Sequence, residues 1–190
     1  MAKRESTFKS MVLTLFVVAA ISATTLGLMN EVTEEPIAAA KLKAKLEAVE
    51  KVVPEFDNDP STEMYTIQSD LGELECYPAK KGGELVGTAI SSITKKGFSG
   101  EIKVMVGFKP DGSIHNSSVL DHAETPGLGT KMDLPKFKDQ YMDKNPADFN
   151  VKVTKDGGGI DAITAATISS RAFSDAVQRA FDAYMEGGKK

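Results

Sequence analysis

The chain has 190 residues, which suits one domain with appendages, and 41 % of them are hydrophobic, as in a globular protein. A formal net charge of −4 argues against nucleic-acid binding, which calls for a basic surface. Cys76 is the single cysteine, so the chain cannot form an internal disulfide, a four-cysteine iron–sulfur cluster or a cysteine zinc site. With two histidines in the whole sequence, we expect no metal centre.

An uncharged apolar run lies close to the N-terminus. Residues 11–29 are almost wholly apolar, and as a helix they would extend about 28 Å at 1.5 Å per residue, nearly the thickness of a bilayer core. Lys3, Arg4 and Lys9 precede the run and glutamates follow it, so the positive-inside rule places the N-terminus in the cytoplasm. We expect a retained transmembrane anchor within residues 1–30. The alternative is a cleaved secretory signal, and in both cases the rest of the chain is exported.

A second helical pattern occupies residues 31–59, as an amphipathic helix and a linker. Pro36 is expected to open the helix and Pro54 to end it. One apolar stripe on this helix consists of Leu42, Leu46, Val49 and Val53. Two interpretations stay open, a solvated spacer or a helix that packs on the following domain, which we assign to residues 60–190.

Residues 63–120 carry the signals of β-strands. The run 84–94 is rich in Val, Ile, Thr and Ser, polar and apolar residues alternate over 101–108, and glycine-containing turns lie at 81–83 and 110–112. Such a meander predicts an antiparallel sheet with one solvated face.

The C-terminal third predicts helices and one more strand. Residues 131–149 are interpreted as one or two short helices and residues 151–154 as a last strand. A final amphipathic helix is expected to cover the other face of the sheet. Its apolar stripe consists of Ile168, Ala172, Phe173, Ala176, Val177, Ala180, Phe181 and Tyr184. The predicted fold class is α+β, with an N-terminal transmembrane helix followed by a single domain that has an antiparallel sheet and flanking helices.

Hydroxyl side chains crowd the start of this final helix. Three glycines, residues 157–159, permit a sharp turn just before the stretch 161–170. The hydroxyl residues of this stretch are Thr164, Thr167, Ser169 and Ser170. A helix N-terminus presents unpaired N–H groups and the positive end of the macrodipole, which suits a phosphate. Helix capping is the commoner use of such hydroxyls, so their spacing leaves both interpretations open.

The loop at residues 120–129 is a second candidate. Pro126 and two glycines exclude a regular element, so a loop of mixed polarity follows the last strand of the meander. Loops held by a rigid sheet commonly carry binding groups. An ordinary turn with solvated His122 and Glu124 is the alternative.

Both segments resemble known flavoproteins. Residues 161–167, D-A-I-T-A-A-T, are similar to the D-x-x-(S/T)-G-A-T motif of the FMN-binding domains in the G subunit of the Rnf complex and the C subunit of the sodium-pumping NADH:quinone reductase. Residues 122–129, H-A-E-T-P-G-L-G, resemble the H-x-E-T-P-G-L-G segment of the same families. The resemblance implies that FMN is joined through its phosphate to the hydroxyl of Thr167. Ala165 stands where these families usually have glycine.

The same resemblance implies further cofactor contacts. It places Glu124, Thr125, Leu128 and Gly129 beside the flavin ring system and ribityl chain, with Thr164, Ala165 and Ala166 next to the attachment residue. Lys155, in a Lys-Asp-Gly-Gly turn as in the Rnf G subunits, is a candidate partner of the phosphate, although a lysine in a turn is usually solvated. Residues 97–100 resemble a glycine–aromatic turn of these proteins, and a tight hairpin explains them equally well.

The implied function is electron transfer by a membrane-anchored flavoprotein subunit of an ion-translocating ferredoxin:NAD oxidoreductase, the Rnf complex. Such a subunit has no catalytic residues and is not an enzyme alone. The implied partners are the other membrane subunits of the complex, a flavin transferase for maturation, and the lipid bilayer through residues 11–29. We expect a single-pass protein of the inner (cytoplasmic) membrane with its C-terminal domain outside the cytoplasm. The alternatives are the C subunit of a sodium-pumping quinone reductase, a flavin-free membrane-anchored assembly module, and a stand-alone extracellular flavin reductase.

Overall fold

A computed structural model describes residues 7–187. The chain divides into two units, Met1–Lys43 and Ala44–Lys190. The strands are β1 (Tyr65–Ser69), β2 (Gly72–Lys81), β3 (Glu84–Thr94), β4 (Ile102–Phe108) and β5 (Ile114–His122), and the α-helices are α1 (Phe8–Val52), α2 (Pro135–Lys138) and α3 (Thr167–Gly187). Short 3₁₀ helices lie at Gly129–Asp133, Asp139–Tyr141 and Thr154–Asp156.

The first unit is formed by most of α1. This helix runs through Pro36 without a break, so the prediction that Pro36 opens a separate helix is wrong. Proline removes one helical hydrogen bond and crowds the preceding turn. The alanines, lysines and glutamates around it are strong helix formers, and the helix continues across that local cost. By length and composition, the N-terminal part of α1 is apolar enough to cross a membrane, and its apolar window is exposed.

The five strands form one sheet in the order β1-β2-β3-β4-β5, and every neighbouring pair is antiparallel. The predicted meander is therefore confirmed. Helix α3 packs across one face of this sheet, where it contacts β3 and β4. The Phe108 ring on β4 stacks on Tyr184 of α3 with 5.0 Å between ring centroids. An antiparallel sheet with flanking helices confirms the predicted α+β fold class.

The apolar stripe predicted for α3 is buried, with one exception. Ala172, Phe173, Ala176 and Val177 are fully buried, and the stripe continues to Tyr184. Ile168 was expected in this stripe but is 47 % exposed, so its assignment to the core is wrong. It lies in the first turn of the helix, where α3 borders a cleft. Helical spacing identifies a face, and it does not show how far along the helix the core extends.

The other face of the sheet is covered in part by the end of α1, so the prediction of a solvated face is incomplete. Val49, Val52 and their neighbours form a second apolar cluster with Tyr77 and Met105. Gly107 permits this contact, because a Cβ there would lie only 1.8 Å from the Val52 carbonyl oxygen. The sequence left open whether this helix is a spacer or packs on the domain, and its last turns pack, with Ala48, Val49 and Val52 buried.

The predicted last strand at residues 151–154 is also wrong. Val153 makes a single parallel bridge with Ile160, and Thr154–Asp156 is a 3₁₀ helix. The following glycines fold back on this segment, and the Gly159 N–H donates to the Asn150 carbonyl at 2.9 Å. Its hydrogen-bonding groups are therefore satisfied by the neighbouring loop and not by the sheet. The short helices predicted for residues 131–149 are confirmed by α2 and the 3₁₀ helix Asp139–Tyr141.

Candidate functional site

A tight turn precedes the first residue of α3. The Ala166 N–H donates to the Ile163 carbonyl at 3.0 Å, and Ala165 has a φ of 63°, in the left-handed region. The Ser170 hydroxyl closes the turn, because it donates to the Ala166 carbonyl at 2.9 Å and accepts from the Ile163 N–H at 2.9 Å. Thr167, the first residue of α3, therefore follows a turn that Ser170 of the same helix stabilises.

The half-buried Thr167 lies in a positive local environment. As the first residue of α3, it belongs to a turn whose backbone N–H groups have no acceptor within the helix. The Lys155 ammonium donates to the Thr167 hydroxyl oxygen at 3.5 Å, a long hydrogen bond. This hydroxyl is thus close to both a helix N-terminus and a cation, a combination that favours a bound anion.

An ion pair between α3 and the neighbouring 3₁₀ helix holds the segment that carries Lys155. Arg171 on α3 donates two hydrogen bonds to Asp156, both at 2.7 Å. These hydrogen bonds lower the pKa of the Asp156 carboxyl and raise the pKa of Arg171. The Arg171 charge is therefore paired, and Lys155 is the cation placed against Thr167.

Glu124 connects three segments of the site. The residue is buried, with 4 % of its surface exposed. One carboxylate oxygen accepts from the Ser99 N–H at 3.0 Å, and the other accepts from the Ser169 hydroxyl at 2.5 Å. The backbone N–H of Glu124 donates to His122 Nδ1 at 3.1 Å. The loop after β5 is thereby held to the turn before β4 and to the start of α3.

These segments enclose a cleft of about 330 Å³, within the range of roughly 300–1,000 Å³ that is typical of small-ligand pockets. Three large apolar side chains on its border are exposed, and Phe98 is the most exposed at 67 %. The lining residues are Phe98, Glu124, Thr125, Leu128, Gly129, Ala165, Ala166, Thr167, Ile168 and Ser169. The cleft combines an apolar border with a polar, cationic end beside Thr167.

Residues 97–182, which include this cleft, match the protein family described as "FMN-binding domain". The G subunit of the ion-translocating oxidoreductase complex of Cereibacter sphaeroides is 35 % identical over 170 residues, which cover 84 % of this chain and 76 % of that protein. The chain belongs to this G-subunit family. A second member, the G subunit of the Na(+)-translocating ferredoxin:NAD(+) oxidoreductase complex of Acetobacterium woodii, is 33 % identical over 190 residues, covering 93 % of this chain and 91 % of that protein.

A solved structure is also similar to this chain. NqrC of Shewanella oneidensis aligns with a TM-score of 0.46 and 23 % identity, over 70 % of each chain.

For this member of the G-subunit family, the cleft brings together most residues that the sequence singled out. Seven of them line it: Glu124, Thr125, Leu128, Gly129, Ala165, Ala166 and Thr167. Lys155 reaches the Thr167 hydroxyl from outside the lining. Their contacts with a cofactor stay predictions, because the geometry shows proximity alone.

Thr164 lies elsewhere. It lines a neighbouring cleft of about 550 Å³ together with Lys131, Phe137, Gln140 and Asp161. The two threonines of the 161–167 motif therefore belong to different clefts, although they are close together in the sequence. The left-handed turn at Ala165 lies between them and redirects the chain.

Three lining residues were not among the predicted site residues: Phe98, Ile168 and Ser169. Phe98 occurs in the glycine–aromatic turn, which a hairpin explained equally well. Ile168 follows the spacing of a core stripe, and that pattern concealed its position. The sequence signal for Ser169 was its position two residues after Thr167. Its hydrogen-bond partner Glu124 is 45 residues away in the sequence.

Proposed function

We propose that this chain is the membrane-anchored flavoprotein electron-transfer subunit of an Rnf-type ion-translocating ferredoxin:NAD oxidoreductase, with FMN joined by a phosphoester to Thr167. The observation that carries the proposal is the position of the Thr167 hydroxyl, which lies at the start of α3, beside Lys155 and in the cleft. Membership of the G-subunit family supports the same role.

The residues around Thr167 fit the phosphate end of FMN. A phosphodiester carries one negative charge, which the N–H groups of the first helical turn and the Lys155 ammonium would offset. We propose that Ala165 and Ala166, which line the cleft beside Thr167, lie next to this phosphate. Arg171 is also a nearby cation, but its charge is paired with Asp156, so Lys155 is the better candidate for this phosphate.

The border of the cleft fits the rest of the cofactor. Leu128, Phe98 and Ile168 expose apolar surface on which a flat ring system would bury area, and Thr125 adds a polar group. We propose that these residues, with Glu124 and Gly129, surround the ring system and ribityl chain. A bound flavin supplies the electron-carrying chemistry itself, so the protein's task is to hold and orient it.

We propose that a separate flavin transferase makes the bond. The sequence places no histidine or lysine beside Thr167 along the chain, but the fold brings Lys155 to 3.5 Å from its hydroxyl. In that contact the ammonium donates a hydrogen bond, so it is not positioned to remove the hydroxyl proton. Lys155 then serves to bind the phosphate and not as the general base.

The proposed location follows from the N-terminal helix. Residues 11–29 would span the inner membrane once, with basic residues on the cytoplasmic side and the C-terminal domain outside. Little free FMN is expected to refill a site there, so a covalent bond prevents loss of the cofactor. The other membrane subunits of the complex would supply and accept the electrons.

Replacement of Thr167 tests the proposal directly. Full-length protein coexpressed with a flavin transferase should fluoresce in a denaturing gel and carry the mass of one FMN, whereas Thr167→Ala should be dark and unmodified. Thr164→Ala is the matched control, because this second threonine of the motif lines the other cleft and should leave one FMN attached. A dark, unmodified wild-type protein would instead favour the flavin-free assembly module.

A further inference from the structure

The carboxylate of Glu124 is enclosed by two glycines. A Cβ at Gly97 would lie 2.8 Å from Glu124 Oε1, and a Cβ at Gly129 would lie 2.5 Å from Oε2. The Gly129 Cβ would also lie 2.7 Å from the Ser169 hydroxyl oxygen. Both glycines therefore leave room for the hydrogen bonds of Glu124, and the Glu124–Ser169 pair is packed from two sides.

This pair lies very close to the proposed attachment residue. Ser169 and Thr167 belong to the first turn of α3, and both line the same cleft. Ser169 is 2 % exposed and donates to Glu124 at 2.5 Å. Glu124 in turn accepts from the Ser99 N–H, which belongs to the turn before β4. Two hydrogen bonds through Glu124 thus connect the first helical turn to the turn before β4.

We propose that Ser169 and Glu124 are positioning residues for flavin attachment, an inference that rests on the proposed function. Their hydrogen bond holds the first turn of α3 so that the Thr167 hydroxyl faces the cleft where the phosphate must arrive. In the attachment step, a P–O bond forms to Thr167 Oγ and a phosphoanhydride P–O bond of an activated FMN donor breaks. The hydroxyl proton leaves with the phosphate leaving group or to a base of the transferase.

The role assigned to Ser169 differs from that of Ser174, another buried serine of the same helix. Ser174 makes a hydrogen bond of 2.8 Å with the Tyr141 hydroxyl and is 5 % exposed. It does not line the cleft, and it lies more than one helical turn beyond Thr167. Ser174→Ala therefore removes a comparable buried hydrogen bond without touching the proposed attachment geometry.

The experiment compares flavin loading with folding stability. The full chain and its variants are incubated with a flavin transferase and flavin adenine dinucleotide as donor, and the rate of loading is followed by in-gel fluorescence and intact mass. Ser169→Ala should load about tenfold more slowly, since hydrogen bonds to charged groups are among the stronger ones. Ser174→Ala should load at the wild-type rate. Both variants should lower the unfolding temperature of the unloaded protein, so slow loading by Ser169→Ala alone would not reflect a general loss of stability.

Two further variants separate positioning from other roles. Ser169→Cys has a side chain of similar size but only a weak hydrogen-bond donor, so it should also load slowly. It replaces Ser169→Ala as the test if the alanine variant does not fold. Glu124→Gln keeps an oxygen that accepts from Ser99 and gains an amide N–H that can donate to Ser169, so it should load faster than Ser169→Ala. Loading by Glu124→Gln as slow as that of Ser169→Ala would overturn the positioning role in favour of a charge effect.

The failures of the two proposals are distinguishable. If wild-type protein stays unmodified, the proposed function fails and the positioning role fails with it. If wild-type protein loads, and Ser169→Ala and Ser169→Cys load at the rate of Ser174→Ala, the flavin attachment stands and the positioning role is overturned.

Discussion

At Ala165 the backbone has a φ of 63°, a conformation that crowds the Cβ of any residue except glycine. The D-x-x-(S/T)-G-A-T motif that this segment resembles has glycine at this position, and a positive φ favours glycine. The methyl group of Ala165 strains the turn that leads into α3 by about 1–2 kcal/mol. The turn persists because Ser170 bonds to both Ile163 and Ala166.

Replacement of Ala165 by glycine should therefore stabilise the protein. We expect Ala165→Gly to raise the free energy of unfolding by about 1 kcal/mol, measured by urea denaturation of the full chain. Ala162→Gly is the matched control, since Ala162 does not have a positive φ. This control should lose roughly 0.4–1 kcal/mol through the added freedom of the unfolded chain. Equal destabilisation by both substitutions would contradict the strain at Ala165.

At the scale of the elements, the end of α1 packs against the strands of the sheet. Ala48, Val49 and Val52 are buried against the face of the sheet opposite α3. The close approach depends on Gly107 of β4, where the Val52 carbonyl occupies the space of a side chain. Gly107 thus allows the end of α1 to pack closely on the sheet.

A side chain at Gly107 should separate these elements. Gly107→Ala is expected to lower the free energy of unfolding by about 1–3 kcal/mol, because the new methyl group clashes with backbone and not with a flexible side chain. The measurement is thermal or urea unfolding of the full chain. In Gly27→Ala the added Cβ meets no atom within 4 Å, so this control should show no loss. A Gly107→Ala protein as stable as wild type would show that α1 does not pack at this point.

At the scale of the whole molecule, the proposed function needs the anchor and the domain on defined sides of a membrane. The single cysteine makes this testable. Cys76 is fully buried on β2, and burial raises the pKa of its thiol to about 12, so it is protected from thiol reagents. An introduced surface cysteine is then the reactive thiol of the part of the chain that the structure describes.

Thiol labelling should report the orientation of the domain. In intact spheroplasts, a membrane-impermeant maleimide should label Asp148→Cys, an exposed position of the C-terminal domain. Glu5→Cys, on the other side of the apolar run in the sequence, should react only after lysis. Wild-type protein should stay unlabelled in both cases. The reverse pattern would contradict an extracytoplasmic domain.

Local patterns were sufficient for much of the fold. The strands alternate with a period of two and the stripe of α3 follows the helical period, so these patterns predicted the meander and the final helix. The continuous apolar run predicted the N-terminal helix. The two motifs identified seven residues that line one cleft. Three predictions were wrong: Pro36 lies within a continuous helix, the 151–154 segment is bonded to its own loop, and Ile168 lies beyond the edge of the core.

The sequence by itself determined the N-terminal helix, the meander, the final helix and the candidate hydroxyl for attachment, because periodicity and motifs are properties of neighbouring residues. Only the tertiary structure decided that Glu124 bonds to Ser169, that Lys155 meets Thr167, and that Thr164 belongs to another cleft. The two hydrogen bonds join residues that are 45 and 12 positions apart in the chain. Their geometry depends on the packing of the sheet, the turns and α3 together, which no local pattern encodes.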